Sequence, residues 1–173
     1  MAIWTVNTTT WAASNVSFGP YPGWTAQMIA VDVDGRIRVL WTNRSRAISV
    51  WLIARDGTVT SHEYGSFADW RAIDMSVATS GDPQVLWQNT STNAYSLWDI
   101  ANDWSATSIL YGPYSGWSAS NVAGVASGDT DILWTNTNFA ACLWDVDLAD
   151  WSETSYVFGP YSNWEPIAIA APL

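Results

Sequence analysis

The sequence predicts an all-β fold assembled from four-stranded repeats of about 47 residues. Three observations predict it. First, an aromatic-Gly-Pro-aromatic loop ending in Trp recurs as FGPYPGW at 18–24, YGPYSGW at 111–117 and FGPYSNW at 158–164, with a divergent copy, YGSFADW, at 64–70. Second, the tryptophans closing these loops, Trp24, Trp70, Trp117 and Trp164, are separated by 46, 47 and 47 residues. A further Trp follows each of the first three after 17 residues, at Trp41, Trp87 and Trp134. Third, the segments between loops are short, rich in Val, Ile, Trp and Tyr, and broken by Gly, Asn and Asp, which leaves no room for a helix of about ten residues.

Taken in order, the third unit reads NVAGVA, DILWTN, AACLWDV and SYVFGPY, four strands separated by SGD, NTN and DLAD. Such strands with short turns fill a 47-residue unit. The second and first units repeat the pattern, with VLWQN and VLWTN as second strands and SLWDI and SVWLI as third strands, carrying Trp98 and Trp51 where the third unit has Trp144. The ends of the chain match parts of a unit. Trp4, Trp11, Phe18 and Trp24 align without a gap with Trp144, Trp151, Phe158 and Trp164, while EPIAIAAPL at 165–173 matches only a first strand. The chain therefore reads as one repeat domain, 1–173: a partial blade at 1–24 (its last two strands), blades at 25–70, 71–117 and 118–164, and a strand at 165–173 that closes the partial blade. One unit split between the termini, about 3.7 repeats in all, fits a β-propeller whose ring is closed through the split blade. A β-trefoil-like arrangement is the alternative.

The stretch Asp131-Ile132-Leu133-Trp134-Thr135-Asn136-Thr137, followed by Leu143-Trp144, resembles the FG-GAP/VCBS type of propeller repeat. The likeness covers roughly the middle half of each unit and excludes the GPYxGW loop. The period and the Trp content are similar to those of tachylectin-type propeller lectins. The first resemblance implies Asp-rich calcium loops between first and second strands. Asp32 and Asp34 in VDVDG fit that pattern, but the aligned positions are Ala78 and Ser80, then Val125 and Ser127, so no repeated metal site is expected.

Composition narrows the function. The net charge is −10, there is no Lys, and all six Arg lie between Arg36 and Arg71. Such a surface repels phosphate backbones and anionic bilayers, so neither nucleic acid nor membrane is an expected partner. No apolar run approaches the ~20 residues of a membrane helix. MAIWTV lacks a basic n-region and an apolar h-region, so the chain reads as cytoplasmic as encoded or as a fragment of a secreted repeat protein. Cys142 is the sole cysteine and His62 the sole histidine, which leaves no metal-ligand set and no nucleophile–base pair. Asp99 with Asp103, and Asp145 with Asp150, read as acidic turns. An enzyme is not expected, nor a cofactor.

The loop has two readings. Gly-Pro sets a bend, and large flat side chains fill the wedge between blades. Alternatively, Tyr21, Tyr114 and Tyr161, each three residues before Trp24, Trp117 or Trp164, form sugar-binding platforms at blade junctions. Asn43, Asn89 and Asn136 in the second strands would then supply donors and acceptors to a glycan. Multivalent, lectin-like carbohydrate binding is the leading expectation, and a structural or self-assembling module without a small ligand is the alternative. Between Leu173 and Met1 the register lacks 14 residues equivalent to 127–140, a whole second strand. That empty lane predicts a homo-oligomer or strand exchange between copies, in preference to a closed monomer in which Ile167–Ile169 pairs in parallel with Ile3–Thr5.

Overall fold

The computed structural model describes residues 1–170. It is all-β, with fourteen strands and no helix among the described residues. A hairpin comes first, β1 (Ala2–Val6) and β2 (Ala13–Ser17). Three four-stranded antiparallel meanders follow. The first blade is β3 (Trp24–Val31), β4 (Ile37–Asn43), β5 (Ile48–Ile53) and β6 (Val59–Tyr64). The second is β7 (Trp70–Val77), β8 (Pro83–Asn89), β9 (Tyr95–Ile100) and β10 (Ala106–Tyr111), and the third is β11 (Trp117–Gly124), β12 (Thr130–Asn136), β13 (Ala141–Val146) and β14 (Glu153–Phe158). Each sheet pairs only within itself, as blades of a propeller-like array do, and no sheet closes on itself. The predicted fold class is therefore the observed one.

The first strands of the blades lie innermost. The Asp74 carboxylate of β7 accepts from the Val122 amide (2.9 Å) and the Asn121 side chain (3.3 Å) of β11. The fourth strands lie outermost, and β6 and β14 are exposed along nearly their whole length. Second strands sit between two neighbours in the sheet and are covered on both faces. VLW in β4 and β8 and ILW in β12 are accordingly buried, which is why they read as continuous apolar runs rather than as an alternation. Each first strand bulges at the same place, between Ala26 and Met28, Ala72 and Asp74, and Ala119 and Asn121.

Blades stack with unlike faces together. The Leu40, Ile48 and Val50 face of the first blade meets the Trp87 and Trp98 face of the second. Leu86, Tyr95 and Leu97 of the second meet Trp134 and Trp144 of the third. The β1–β2 hairpin lays Ile3 and Phe18 on Trp41 and Trp51 of the first blade. Every blade thus presents a Trp face to the one before it.

Two details differ from the expectation. The loop tryptophans Trp24, Trp70 and Trp117 open a blade rather than end one, being the first residues of β3, β7 and β11. Residues 165–170 form no strand, and β1 pairs only with β2, so the parallel seam is not formed among the described residues; 171–173 lie outside them. Ile169 and Ala170 instead lie in irregular conformation beside the inner strands, lining a cavity with Ala30, Ser76 and Val122. An alternating apolar segment needs a neighbour to become a strand, and among the described residues none pairs with this one.

Candidate functional site

The recurring loop has one conformation in all four copies. Gly19, Gly65, Gly112 and Gly159 have φ between +71° and +90°, and the following aromatic ring folds back over each of them. A Cβ on Gly19 would lie 3.2 Å from the Tyr21 ring, and one on Gly65 2.8 Å from the Phe67 ring, so only glycine fits. The chain then turns, with the Trp24 amide donating to the Tyr21 carbonyl at 3.1 Å and Trp70, Trp117 and Trp164 doing the same to Phe67, Tyr114 and Tyr161. The third turn position has positive φ and holds Gly23, Asp69, Gly116 and Asn163, residue types that accept it. The divergence of YGSFADW therefore leaves its shape unchanged.

The loop delivers its ring to the following blade. Tyr21 meets Trp41 and Trp51 edge-on at 5.4 and 5.1 Å between centroids, Phe67 meets Trp87 and Trp98 at 5.6 and 5.3 Å, and Tyr114 meets Trp134 and Trp144 at 5.4 and 5.5 Å. The last outward aromatic of the preceding blade touches the third-strand Trp as well: Phe18 with Trp51, Tyr64 with Trp98 and Tyr111 with Trp144, at 5.8, 5.8 and 5.2 Å. Three equivalent aromatic niches result, one at each blade junction.

Their polar residues differ. Antiparallel register puts Trp41, Ser49, Trp51, Ser61 and Glu63 on one face of the first blade. With Tyr21 and Trp24 they line a cavity of about 150 Å³. The second niche, about 200 Å³, has Ser96 and Ser108 in the same places but Leu110 where the first has Glu63. The third has Cys142, Ser155 and Val157 at these positions. Burial pushes the Cys142 thiol up, so it stays protonated at neutral pH. The indole N–H groups of Trp41, Trp87 and Trp134 are buried in the niche walls without a hydrogen-bond partner. Burial, with the nearby Asp103 charge, pushes the Tyr64 phenol up to about 12, and its hydroxyl donates to the Trp104 carbonyl at 2.9 Å.

The structure separates the residues expected to bind a ligand. Tyr21 and Trp24 meet in the first niche. Tyr114 reaches the third, where Trp117 packs against the core. Tyr161 and Trp164 stand largely exposed, in the fourth loop copy. Asn43, Asn89 and Asn136 turn out to be turn residues. The Asn43 Oδ1 accepts from the Ser45 and Ala47 amides, Asn89 from Ser91 and Thr92, and Asn136 from Asn138, each at 2.9–3.0 Å. An amide side chain at a strand end satisfies the free amides of a tight turn first. Trp51, Trp98, Trp144, Ser61 and Glu63 were not anticipated as niche walls. Their signal was parity, since Trp51 pairs with Ser61, and Ser49 with Glu63, across β5 and β6. The expected acidic turns are turns in part: Asp103 accepts from the Ser105 amide and Asp150 from the Ser152 amide, while Asp99 accepts from the Gln84 side chain at 2.9 Å. Asp32 is taken up by Arg36, whose Nε donates to it at 2.7 Å.

Comparison with known proteins bears on the fold. A family model described as the Tryptophan-rich Synechocystis species C-terminal domain matches residues 60–111, from the outer strand of the first blade through the second blade. It is this Trp-rich family, rather than the FG-GAP/VCBS type, whose model matches. The crystal structure of a protein from Lactobacillus plantarum is similar over 90% of this chain, at 12% identity and a TM-score of 0.56, and this chain spans 49% of it, about half its length. A protein of unknown function from Bacteroides caccae is similar over 87% of this chain and 67% of its own, at 14% identity and a TM-score of 0.39. No curated protein matches. The likeness to the Lactobacillus plantarum protein, together with the three radial meanders, describes a propeller-like fold.

Proposed function

We propose that the junction niches bind glycans and that the protein acts as a multivalent, lectin-like module. The observation that carries this reading is the first niche. It sets Tyr21, Trp24 and Trp51 beside Ser49, Ser61 and Glu63, with an unpartnered indole N–H in its wall. Sugars present apolar C–H faces and neutral hydroxyl edges, which match aromatic walls and uncharged or acceptor groups. A cavity of about 150 Å³ is smaller than the roughly 300 Å³ of drug-sized pockets, so it suits a single sugar ring. Several weak sites on one rigid arc gain avidity on a repetitive glycan. The similarity of the period and Trp content to tachylectin-type lectins supports the same reading. The niches are unequal: the first has a carboxylate acceptor where the second and third have Leu110 and Val157.

The test is a glycan array followed by intrinsic tryptophan fluorescence titration of the best binder. Binding that Glu63→Leu weakens about tenfold or more, without a change in melting temperature, supports the proposal. No binding on the array or in sugar-competed agglutination overturns it. One observation favours a scaffold without a small ligand: the three asparagines expected to provide sugar contacts each commit their Oδ1 to a turn.

A further inference from the structure

The aromatic junction occurs three times in formed state and once as two separated halves. Phe18 meets Trp51, Tyr64 meets Trp98 and Tyr111 meets Trp144. The fourth pair in the register is Phe158 with Trp4. Phe158, on the outer strand of the third blade, is 48% exposed, and Trp4, on the hairpin, is 63% exposed. The loop ring repeats the pattern: Tyr21, Phe67 and Tyr114 each touch a third-strand Trp, whereas Tyr161, whose counterpart is Trp4, is 57% exposed. A third contact does likewise. Trp104 of the second blade stacks on His62 of the first at 5.9 Å, and Trp151 of the third and Ile109 of the second pack on the same core cluster, which includes Tyr111. Trp11, at the same turn of the hairpin, is 77% exposed, as is half of Tyr156, its counterpart on β14.

From these separated halves we infer that two copies of this chain associate head to tail. The Trp4–Trp11 face of each hairpin seats on the Tyr156–Phe158–Tyr161 face of the other copy, closing a two-chain ring. The partner is identified by the molecule itself, because its three formed junctions show what covers each face, and both missing counterparts stand on this chain. Charge agrees. Residues 1–31 contain no charged side chain, while residues 118–173 contain seven acids and no base, so the hairpin offers the acidic third blade a face that does not repel it. The arc also aligns with about half of the Lactobacillus plantarum chain, leaving room in such a fold for a second arc. Unlike patches in contact form a ring when the rotation closes. This inference is independent of glycan binding.

Light scattering across a hundredfold concentration range tests it, with two variants of exposed residues, Trp4→Arg and Tyr161→Arg. The wild-type chain is expected at twice its monomer mass. Each variant alone should be monomeric, with a melting temperature no lower than that of the dissociated wild type, because every junction then contains one blocked face. Mixing the two variants should restore a one-to-one pair, since one junction in that pair is intact. A wild-type monomer at every concentration, a dimer indifferent to both substitutions, or no pairing on mixing overturns the inference.

Discussion

The second blade and the N-terminal hairpin carry the same repeat positions and have opposite surroundings. Trp98 in the second blade is half-buried among Phe67, Tyr64 and Trp87, whereas Trp4, its counterpart in the hairpin, has no aromatic neighbour and faces solvent. Both segments carry the repeat's third-strand Trp, in AIWTV and SLWDI. What differs is the presence of a blade on either side. In a repeat protein, stability is a sum of weak intrinsic terms and strong nearest-neighbour interfaces, so a terminal unit keeps its shape but loses its interface energy. The second blade, with complete neighbours on both sides, buries Trp87, Tyr95, Leu86, Leu97 and Ile100 fully, and the flanking blades bury Leu40, Ile48, Ile132 and Trp134 on the faces turned toward it.

The largest expected effect tests that comparison directly. Trp87→Ala should cost about 3–5 kcal/mol, the range for deleting a fully buried large aromatic. Trp4→Ala should cost under ~0.5 kcal/mol in the monomer, as an exposed change does. Trp117→Ala should fall between them at about 2 kcal/mol, because that side chain is only half-buried. Urea unfolding of the three variants at low concentration checks the ranking. Equal losses at Trp87 and Trp4 would show that the hairpin is packed as tightly as the second blade.

A smaller effect separates local geometry from neighbour coupling. Asn89 and Asn7 make the same bonds, each Oδ1 accepting two turn amides at 2.9 Å. Asn89→Ala should lower global stability by about 1 kcal/mol, the usual worth of a lost turn or cap bond. Asn7→Ala should leave the global transition in place and speed hydrogen exchange only in Ala2–Ser17, because that hairpin opens sub-globally. Exchange that accelerates across all three blades in Asn7→Ala would contradict the picture of a weakly coupled hairpin. At Tyr114, removing the hydroxyl (Tyr114→Phe) should change stability by under ~0.5 kcal/mol, since its ring makes the packing contacts. Weaker binding of the same glycan by that variant is expected under the proposed function.

The same comparison explains what the sequence disclosed. Blade count, strand order and the junction position of the loop were legible, because a Trp register without gaps constrains every unit at once. The niche was half legible. Tyr21 and Trp24 announce themselves within one loop, but Glu63 joins them only through strand parity, nearly forty residues away. The turn role of the asparagines was not anticipated, because an amide looks alike to a ligand and to a turn. The Asn43-x-Ser45 and Asn136-x-Asn138 spacings match the i to i+2 bonds that the structure shows and were the available sign. Residues 165–170, expected in a strand, form none for the reason Trp4 is bare, since alternation in sequence cannot supply the neighbour that fixes it.

The smallest expected effect is a pH dependence whose sign differs between coupled and local acids. Burial raises the Asp74, Asp99 and Asp131 carboxyls above the ordinary 3.8, and all three lie within or between blades. For such a group the native state holds its proton longer than the unfolded chain, so its contribution to stability is complete below the unfolded pKa and is lost as pH rises through the folded one. Asp56, Asp103 and Asp150 behave oppositely. Turn hydrogen bonds to Thr58, Ser105 and Ser152 lower them, so their contribution exists above the ordinary value and is lost as pH falls through the depressed one. The hairpin has no titratable side chain. Between about pH 4 and 7 the blades should therefore lose stability as pH rises, helped by mutual repulsion in a chain of net charge −10, while hairpin opening stays constant. Asp74→Met installs the residue that Met28 provides at the equivalent bulge of the first blade. It should lower stability overall by freeing the Val122 amide, yet flatten the slope against pH. Thermal melts of both proteins across this range measure the two slopes, and an unchanged slope in Asp74→Met would remove Asp74 from the set of acids coupled through the blade interfaces.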